Sequence, residues 1–248
     1  MRTEDVLPKL RELGFEEGDA AVLADHFLEA ERRGKQGHGL SRVDWLASQK
    51  LDPSARPERI TADEGYEHWD GCGAVGYLTL AAVCAAQIGA PPENARVVVA
   101  SNCFPTGMLG YWTRGLADAG LVAALTATSP ARLAHPDGGP PLTGTNPLSI
   151  AIPSSDGEPV VTDVSMGRVT YGDVIAGLAP KEELVPFGGE HRHKAFALAL
   201  GLQMLVDALA GDGYGAVLVV ARPSADPVPA LRRAAGGVRL PGDGRTKA

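Results

Sequence analysis

The residues best equipped for chemistry fall in short polar segments flanked by glycine. Gly37-His38-Gly39-Leu40-Ser41-Arg42 sets an imidazole between two glycines, whose backbone freedom lets the ring turn into a cleft. An unperturbed histidine titrates near about 6.5 and can therefore give up a proton close to neutrality. Arg42, one helical turn on, carries the planar fork that grips a carboxylate through two parallel hydrogen bonds. The same pattern is also met in plain surface loops with a solvated histidine and arginine, and spacing alone leaves both readings open.

Further segments follow in order along the chain. Ser101-Asn102-Cys103-Phe104-Pro105-Thr106-Gly107 closes a β-branched run, and loops after strand ends are where α/β proteins bind ligands. Gly144-Thr145-Asn146-Pro147 reads as a turn before a strand, on turn chemistry alone. Asp163, in Thr162-Asp163-Val164-Ser165-Met166, and Asp173, in Tyr171-Gly172-Asp173, could each orient a histidine and favour its protonated form. Either acid could equally cap a helix. His193-Lys194, after Pro186-Phe187-Gly188-Gly189, opens a helix whose first amides and lysine could hold phosphate. Val238-Arg239-Leu240-Pro241-Gly242 has the composition of a frayed tail.

The elements that must position these residues are legible from apolar spacing. Two helices are expected between Thr3 and Arg33, broken at Gly14 and Gly18, and a third carries Arg42, Trp45 and Leu46. An Ala-rich helix is expected over about Tyr77 to Gln87, a strand over Ala95 to Ala100, a helix over Met108 to Ala119 and a strand over Leu121 to Thr126. A Pro/Gly-rich connection from Pro130 to Gly144 leads to strands at Leu148 to Ile152 and Val160 to Asp163. A long helix from Lys194 to Ala210 and a strand from Ala216 to Ala221 complete the pattern. This order indicates an α/β sandwich without internal repeats. The simplest organisation is a single unit over residues 1–248, its helical first 50 or so residues packed on the α/β core.

The composition, 44% apolar and 21% charged, is that of a globular protein. A formal charge of −7 argues against a nucleic-acid or anionic-membrane partner, and neither is expected. Cys72, Cys84 and Cys103 are odd in number and form no CxxC pair, so no disulfide framework or metal site is expected. No leader pattern opens the chain and no apolar run reaches the roughly 20 residues of a membrane span, so a reducing, cytoplasmic setting is expected. Neither GxGxxG nor GxxxxGK[ST] occurs, so a Rossmann or P-loop nucleotide site is not indicated.

Taken in order, GHGLSR, SNCFPTG, GTNP, DVSM, PFGGEHRHKA and VRLPGD resemble the malate/L-lactate dehydrogenase superfamily, also called sulfolactate dehydrogenase-like. The family series is SHGxxR, SNHFG, GTNP, a DMATS-like strand end, PxGGxKG and RxPGE. Tyr171-Gly172-Asp173-Val174 is similar to the HGDV segment of the Δ1-piperideine-2-carboxylate/Δ1-pyrroline-2-carboxylate reductases. The resemblance implies the family's own α/β sandwich rather than a Rossmann fold, a homodimer, and reduction of a small carboxylate substrate with NADPH or NADH. It makes His38 the proton donor, Asp173 its relay partner, and Arg42, Thr145 and Tyr171 substrate contacts. Cofactor contacts would come from Cys103, Phe104, Thr106 and Gly107, from Asp163, Val164 and Ser165, and from His193, Lys194, Arg239, Pro241 and Gly242.

Three departures accompany the resemblance. Gly37 stands where the family has its relay serine, Cys103 stands for the histidine of SNHFG, and the segment between Asp173 and Pro186 is shortened. The expected reaction is reduction of a cyclic ketimine beside a carboxylate. The alternatives are reduction of a 2-oxo acid, or a non-redox acid/base or thiol chemistry using His38 and Cys103.

Overall fold

Apolar spacing at the N-terminus becomes two helices, α1 (Val6–Glu12) and α2 (Glu17–Arg32). Gly14, at φ +93°, makes the break, whereas Gly18 lies inside the first turn of α2. The computed structural model describes residues 1–244; residues 245–248 of the unit expected from the sequence lie outside the described residues.

Helix α3 (Ser41–Ala47) is followed by a hairpin of β1 (Glu58–Ala62) and β2 (Tyr66–Asp70). Then come α4 (Gly76–Gly89), β3 (Ala95–Ser101), α5 (Leu109–Asp118) and β4 (Val122–Ala127). The Pro/Gly-rich connection folds into a small ladder of β5 (Leu133–Ala134) and β6 (Pro141–Thr143). Next are β7 (Leu148–Ile152), β8 (Val160–Val164), the short α6 (Tyr171–Ile175), the long α7 (Arg192–Ala210), β9 (Ala216–Ala221) and α8 (Val228–Ala235).

Seven strands form one sheet in the order β1-β2-β3-β9-β4-β7-β8, antiparallel at every pair except β2–β3. A dinucleotide-binding sheet of the Rossmann kind is mostly parallel, so the topology agrees with the missing glycine fingerprint. Strand β9 inserts between β3 and β4, and its alternation sorts the two faces. Ala216, Leu218 and Val220 join Ala123, Leu125 and Ala127 against Leu10, Leu23, Phe27, Leu80 and Leu116 of the helices. Each fully buried leucine or phenylalanine there contributes about 1.5–3 kcal/mol.

On the other face Val217 and Val99 meet Val206 of α7. This helix with its preceding turn, Gly189–Ala210, is the one described segment long and apolar enough to cross a membrane by length and composition. It nevertheless buries Ala195, Phe196, Ala199, Leu202 and Val206 within the fold. Its outer side exposes Leu198, Met204, Leu205 and Leu209, and the strands expose Ile150, Val164 and Val219.

Candidate active site

The ends of β3, β4 and β8 open into loops that meet the turn between α2 and α3 and the start of α6. Between them lies a cavity of about 700 Å³. A volume of this order suits a small-molecule ligand.

His38 ends the short helical turn Gln36–His38 and lines the cavity. Its enclosure, then the charge of Arg42, holds its pKa down at about 4, against the opposing pull of Asp173. The ring is therefore neutral at neutral pH when the cavity holds no anion. Arg42 is 7% exposed, its guanidinium lies 4.1 Å from the centroid of Trp45, and its Nε is buried without a partner. No acidic side chain pairs with it among the described residues. A buried guanidinium in that state is an anion site awaiting its anion.

Asp173 also lines the cavity, but its carboxylate is committed to its own helix. Oδ2 accepts from the Thr170 N–H and the Thr170 hydroxyl, both at 2.8 Å, and the Thr170 hydroxyl accepts from the Asp173 N–H in return. Helix α6 presses against the turn that carries His38. A Cβ on Gly37 would stand 2.6 Å from the Asp173 nitrogen, and one on Gly172 would stand 2.8 Å from the Gly37 carbonyl carbon. The absence of the family's serine at position 37 thus has a physical cause: the two segments touch backbone to backbone. Asp173 acts on His38 through its field, with no hydrogen bond between them among the described residues.

The remaining cavity residues sit on well-fixed backbone. Thr145 lines the wall, and Asn146 beside it is fully buried, donating to the Ala199 carbonyl at 3.1 Å and to Gln203 Oε1 at 2.9 Å. GTNP is therefore a pin between β7 and α7 that presents Thr145. Phe104, Thr106 and Gly107 form a second wall. Thr106 accepts from Trp112 Nε1 at 2.8 Å, and the Met108 N–H donates to His26 Nε2 at 3.1 Å. Gly107, at φ +70°, has no room for a side chain, since a Cβ would stand 2.6 Å from His26 Nε2. Asp163, Val164 and Ser165 supply a third wall. Asp163 accepts from the Gly110 N–H at 2.9 Å, and burial raises its pKa. This carboxylate sits on the N-terminus of α5, which leaves that terminus unfit to receive a phosphate.

Six residues nominated from the sequence are not brought to the cavity. Cys103 is 0% exposed beneath the wall, its Sγ against the Gly76 carbonyl at 3.7 Å, and burial pushes its thiol up to about 12. A thiol so placed is no nucleophile, which removes the thiol chemistry considered above. His193 and Lys194 are exposed on the first turn of α7, where neighbouring Arg192 reaches the Pro136 carbonyl. The Arg239–Gly242 segment is held elsewhere: the Val161 N–H donates to the Pro241 carbonyl at 3.0 Å, and Arg239 donates to the Asp243 carbonyl at 3.1 Å. It is a turn tied to the outer edge of β8 and does not line the cavity.

Sequence reasoning passed over Lys35, Arg132 and Arg168, which give the cavity three further cations. Lys35 lies two residues before the Gly37–Arg42 segment already singled out. Arg132 and Arg168 lie in irregular connections, where no periodicity marks a cavity-facing residue. His26 was missed because an apolar helix face hides its one polar contact.

Known proteins give this geometry its context. A Delta(1)-pyrroline-2-carboxylate/Delta(1)-piperideine-2-carboxylate reductase of Pseudomonas putida is 29% identical over 231 residues, covering 81% of this chain and 67% of the relative. A (2R)-3-sulfolactate dehydrogenase (NADP(+)) of Chromohalobacter salexigens is 31% identical over 189 residues, covering 72% of this chain and 55% of the relative. The crystal structure of delta1-piperideine-2-carboxylate reductase from Pseudomonas syringae pvar. tomato superposes with a TM-score of 0.82 at 25% identity, over 98% of this chain and 91% of that one. The chain spans about two thirds of the length of the imino-acid reductases it matches, 65% to 69%. The malate/L-lactate dehydrogenase family matches residues 4–183, nearly three quarters of the sequence. By that match, and by a fold shared with one of its reductases along almost its whole length, the chain belongs to the malate/L-lactate dehydrogenase family.

Proposed function

We propose that this oxidoreductase reduces a cyclic ketimine beside a carboxylate, using NADH or NADPH, with His38 delivering the proton. One observation carries the reading: a buried, unpaired guanidinium, Arg42, shares a cavity wall with His38. That pair can seize an α-carboxylate and protonate the atom next to it. The names of the relatives support the class, since they are reductases or dehydrogenases of imino acids, malate and sulfolactate.

The cavity fits a dinucleotide in size and lining. Phe104 offers an aromatic face, Thr106 and Gly107 bring backbone, and Ser165 brings a hydroxyl, so these are the residues that would hold it. When bound, NAD(P)H supplies the hydride.

The chain's own residues do the rest. Arg42 orients the carboxylate and Thr145 borders it. Burial depresses His38 most and the charge of Arg42 next; an anion on Arg42 offsets the second of these, so seating the acid raises the proton affinity of the ring that must protonate it. Asp173, fixed by Thr170, favours the protonated ring through space. Reduction of a 2-oxo acid would use the same parts, and the sulfolactate dehydrogenase among the relatives keeps that reading open. The ratio of kcat/KM for an imino acid and the matching 2-oxo acid separates the two.

A second copy of the chain is the partner we infer for the apolar face of Leu198, Met204, Leu205 and Val219, checked by sedimentation. The three free cysteines fit a reducing cytoplasm. The central test is calorimetric titration with NADH and NADPH. Binding of either supports the reductase, and no heat or melting shift with either at about millimolar ligand overturns it.

A further inference from the structure

The cavity holds a second stacked arginine to which neither the sequence nor the relatives' names give a role. Arg132 lies in the connection between β4 and β5, its own N–H bound to the Thr143 carbonyl at 2.8 Å. Its guanidinium carbon stands 3.4 Å from the centroid of the Tyr171 ring. No carboxylate pairs with it among the described residues. A guanidinium lying flat on an aromatic face keeps its edge donors free, and the stack fixes where they point. The cavity's own acids are already engaged, Asp163 by the Gly110 N–H and Asp173 by Thr170. Arg168, the other arginine of the wall, has Glu183 at 3.6 Å. Two guanidiniums therefore stand ready without acid partners: Arg42 over Trp45 and Arg132 over Tyr171.

We propose that Arg132 is a second anion-binding residue of this cavity, and that the acid held there carries a second anionic group, a carboxylate or sulfonate, besides the carboxylate on Arg42. The assignment to the substrate rests on the reductase reading above. A cofactor phosphate would offer the same chemistry. Position favours the substrate: Arg132 is tied to the 143–145 strand end and to Tyr171, the segments that supply Thr145 and the helix of Asp173. It makes no hydrogen bond to the 104–107 or 163–165 walls among the described residues.

The test is calorimetric titration of the protein without cofactor, using succinate and butanoate as probes of equal carbon length, and separately NADPH. Succinate should bind at least about tenfold more tightly than butanoate, the range expected of one charge-assisted contact. Arg132→Gln should remove that preference while leaving butanoate and NADPH within about twofold. Arg132→Lys, which keeps the charge and loses the fork, should keep part of it, and an unchanged melting temperature shows that each variant folds. Equal binding of the two acids by the parent, no heat with either, or a succinate preference that survives Arg132→Gln overturns the proposal. A variant that loses NADPH and keeps succinate also overturns it, by assigning Arg132 to a cofactor phosphate. A parent that ignores NADPH yet shows the Arg132-dependent preference upholds the anion site and fails the reductase reading alone.

Discussion

Acid should unfold this protein partly through one histidine. His26 is 0% exposed among Phe27, Tyr77, Tyr111 and Trp112, and its Nε2 lone pair is taken by the Met108 N–H. Burial, aided by the field of His38, lowers its pKa from 6.5 to about 3. Protonating Nε2 would also break the bond that holds the cavity loop. The folded value lies below the unfolded one, so the unfolded chain takes up the proton first. The contribution to stability is whole above about 6.5 and is lost as pH falls toward 3. Between pH 7.5 and pH 5 the unfolded state gains about 1.5 logarithmic units of proton binding that the folded state does not, or about 2 kcal/mol. In a chain of this size that is about 4–8 °C in Tm. His26→Gln keeps an oxygen to accept from Met108 and removes the titration. Urea unfolding followed by tryptophan fluorescence at the two pH values, parent against variant, isolates the term, because the carboxylates are common to both. The parent should lose about 2 kcal/mol more than the variant. Parallel losses would show that His26 is already charged in the folded protein, and the reasoning would fail.

His38→Ala should lower kcat by about 10²-fold or more with the melting temperature nearly unchanged. In the parent, kcat/KM for a 2-oxo acid should fall steadily as pH rises from 5 to 7, since free His38 titrates near 4, while kcat holds to higher pH. A kcat/KM plateau reaching 6.5 would contradict this. Arg42→Lys should raise KM clearly, and equal turnover of carboxylate-free analogues by the parent would remove Arg42 from substrate binding. Gly37→Ser should cost about 1–3 kcal/mol of stability by forcing α6 off the His38 turn, read by urea denaturation. Lys194→Ala and Arg239→Ala, both outside the cavity, should leave the NADPH dissociation constant within about twofold, and a larger loss by titration would place those side chains on the cofactor.

Regular elements with one buried face were legible. Strand β9 runs over the residues its β-branched run marks, and α4 and α5 fall within two residues of their expected ends. The β1–β2 hairpin was not legible, because Glu58-Arg59 and Tyr66-Glu67-His68 alternate charge with little apolar content. Buried Glu67 is stabilised there by Trp69 Nε1 at 3.0 Å and Gln87 at 2.9 Å, a tertiary arrangement that no local pattern announces. Of the site, the GHGLSR histidine and arginine, Thr145, Tyr171 and Asp173 do meet at one cavity. The basic segments near the C-terminus do not, since a positive residue in a glycine-rich stretch signals a loop but not which way the loop faces. Arg132 was invisible for the converse reason: its orientation comes from Tyr171, distant in sequence and adjacent only in the fold.

The place of β9 bears on how the chain comes off the ribosome. Until Ala216–Ala221 has emerged, β3 and β4 have no hydrogen-bonding neighbour on the sides that later face each other. The β1–β3 and β4–β8 portions are then two separate ribbons with open, Val- and Ala-rich edges, the kind that pair promiscuously. Closure of the sheet waits for β9, the last of its seven strands in chain order. A nascent chain stalled before residue 216 is therefore exposed to aggregation, and to chaperones, in a way that one stalled after 221 is not.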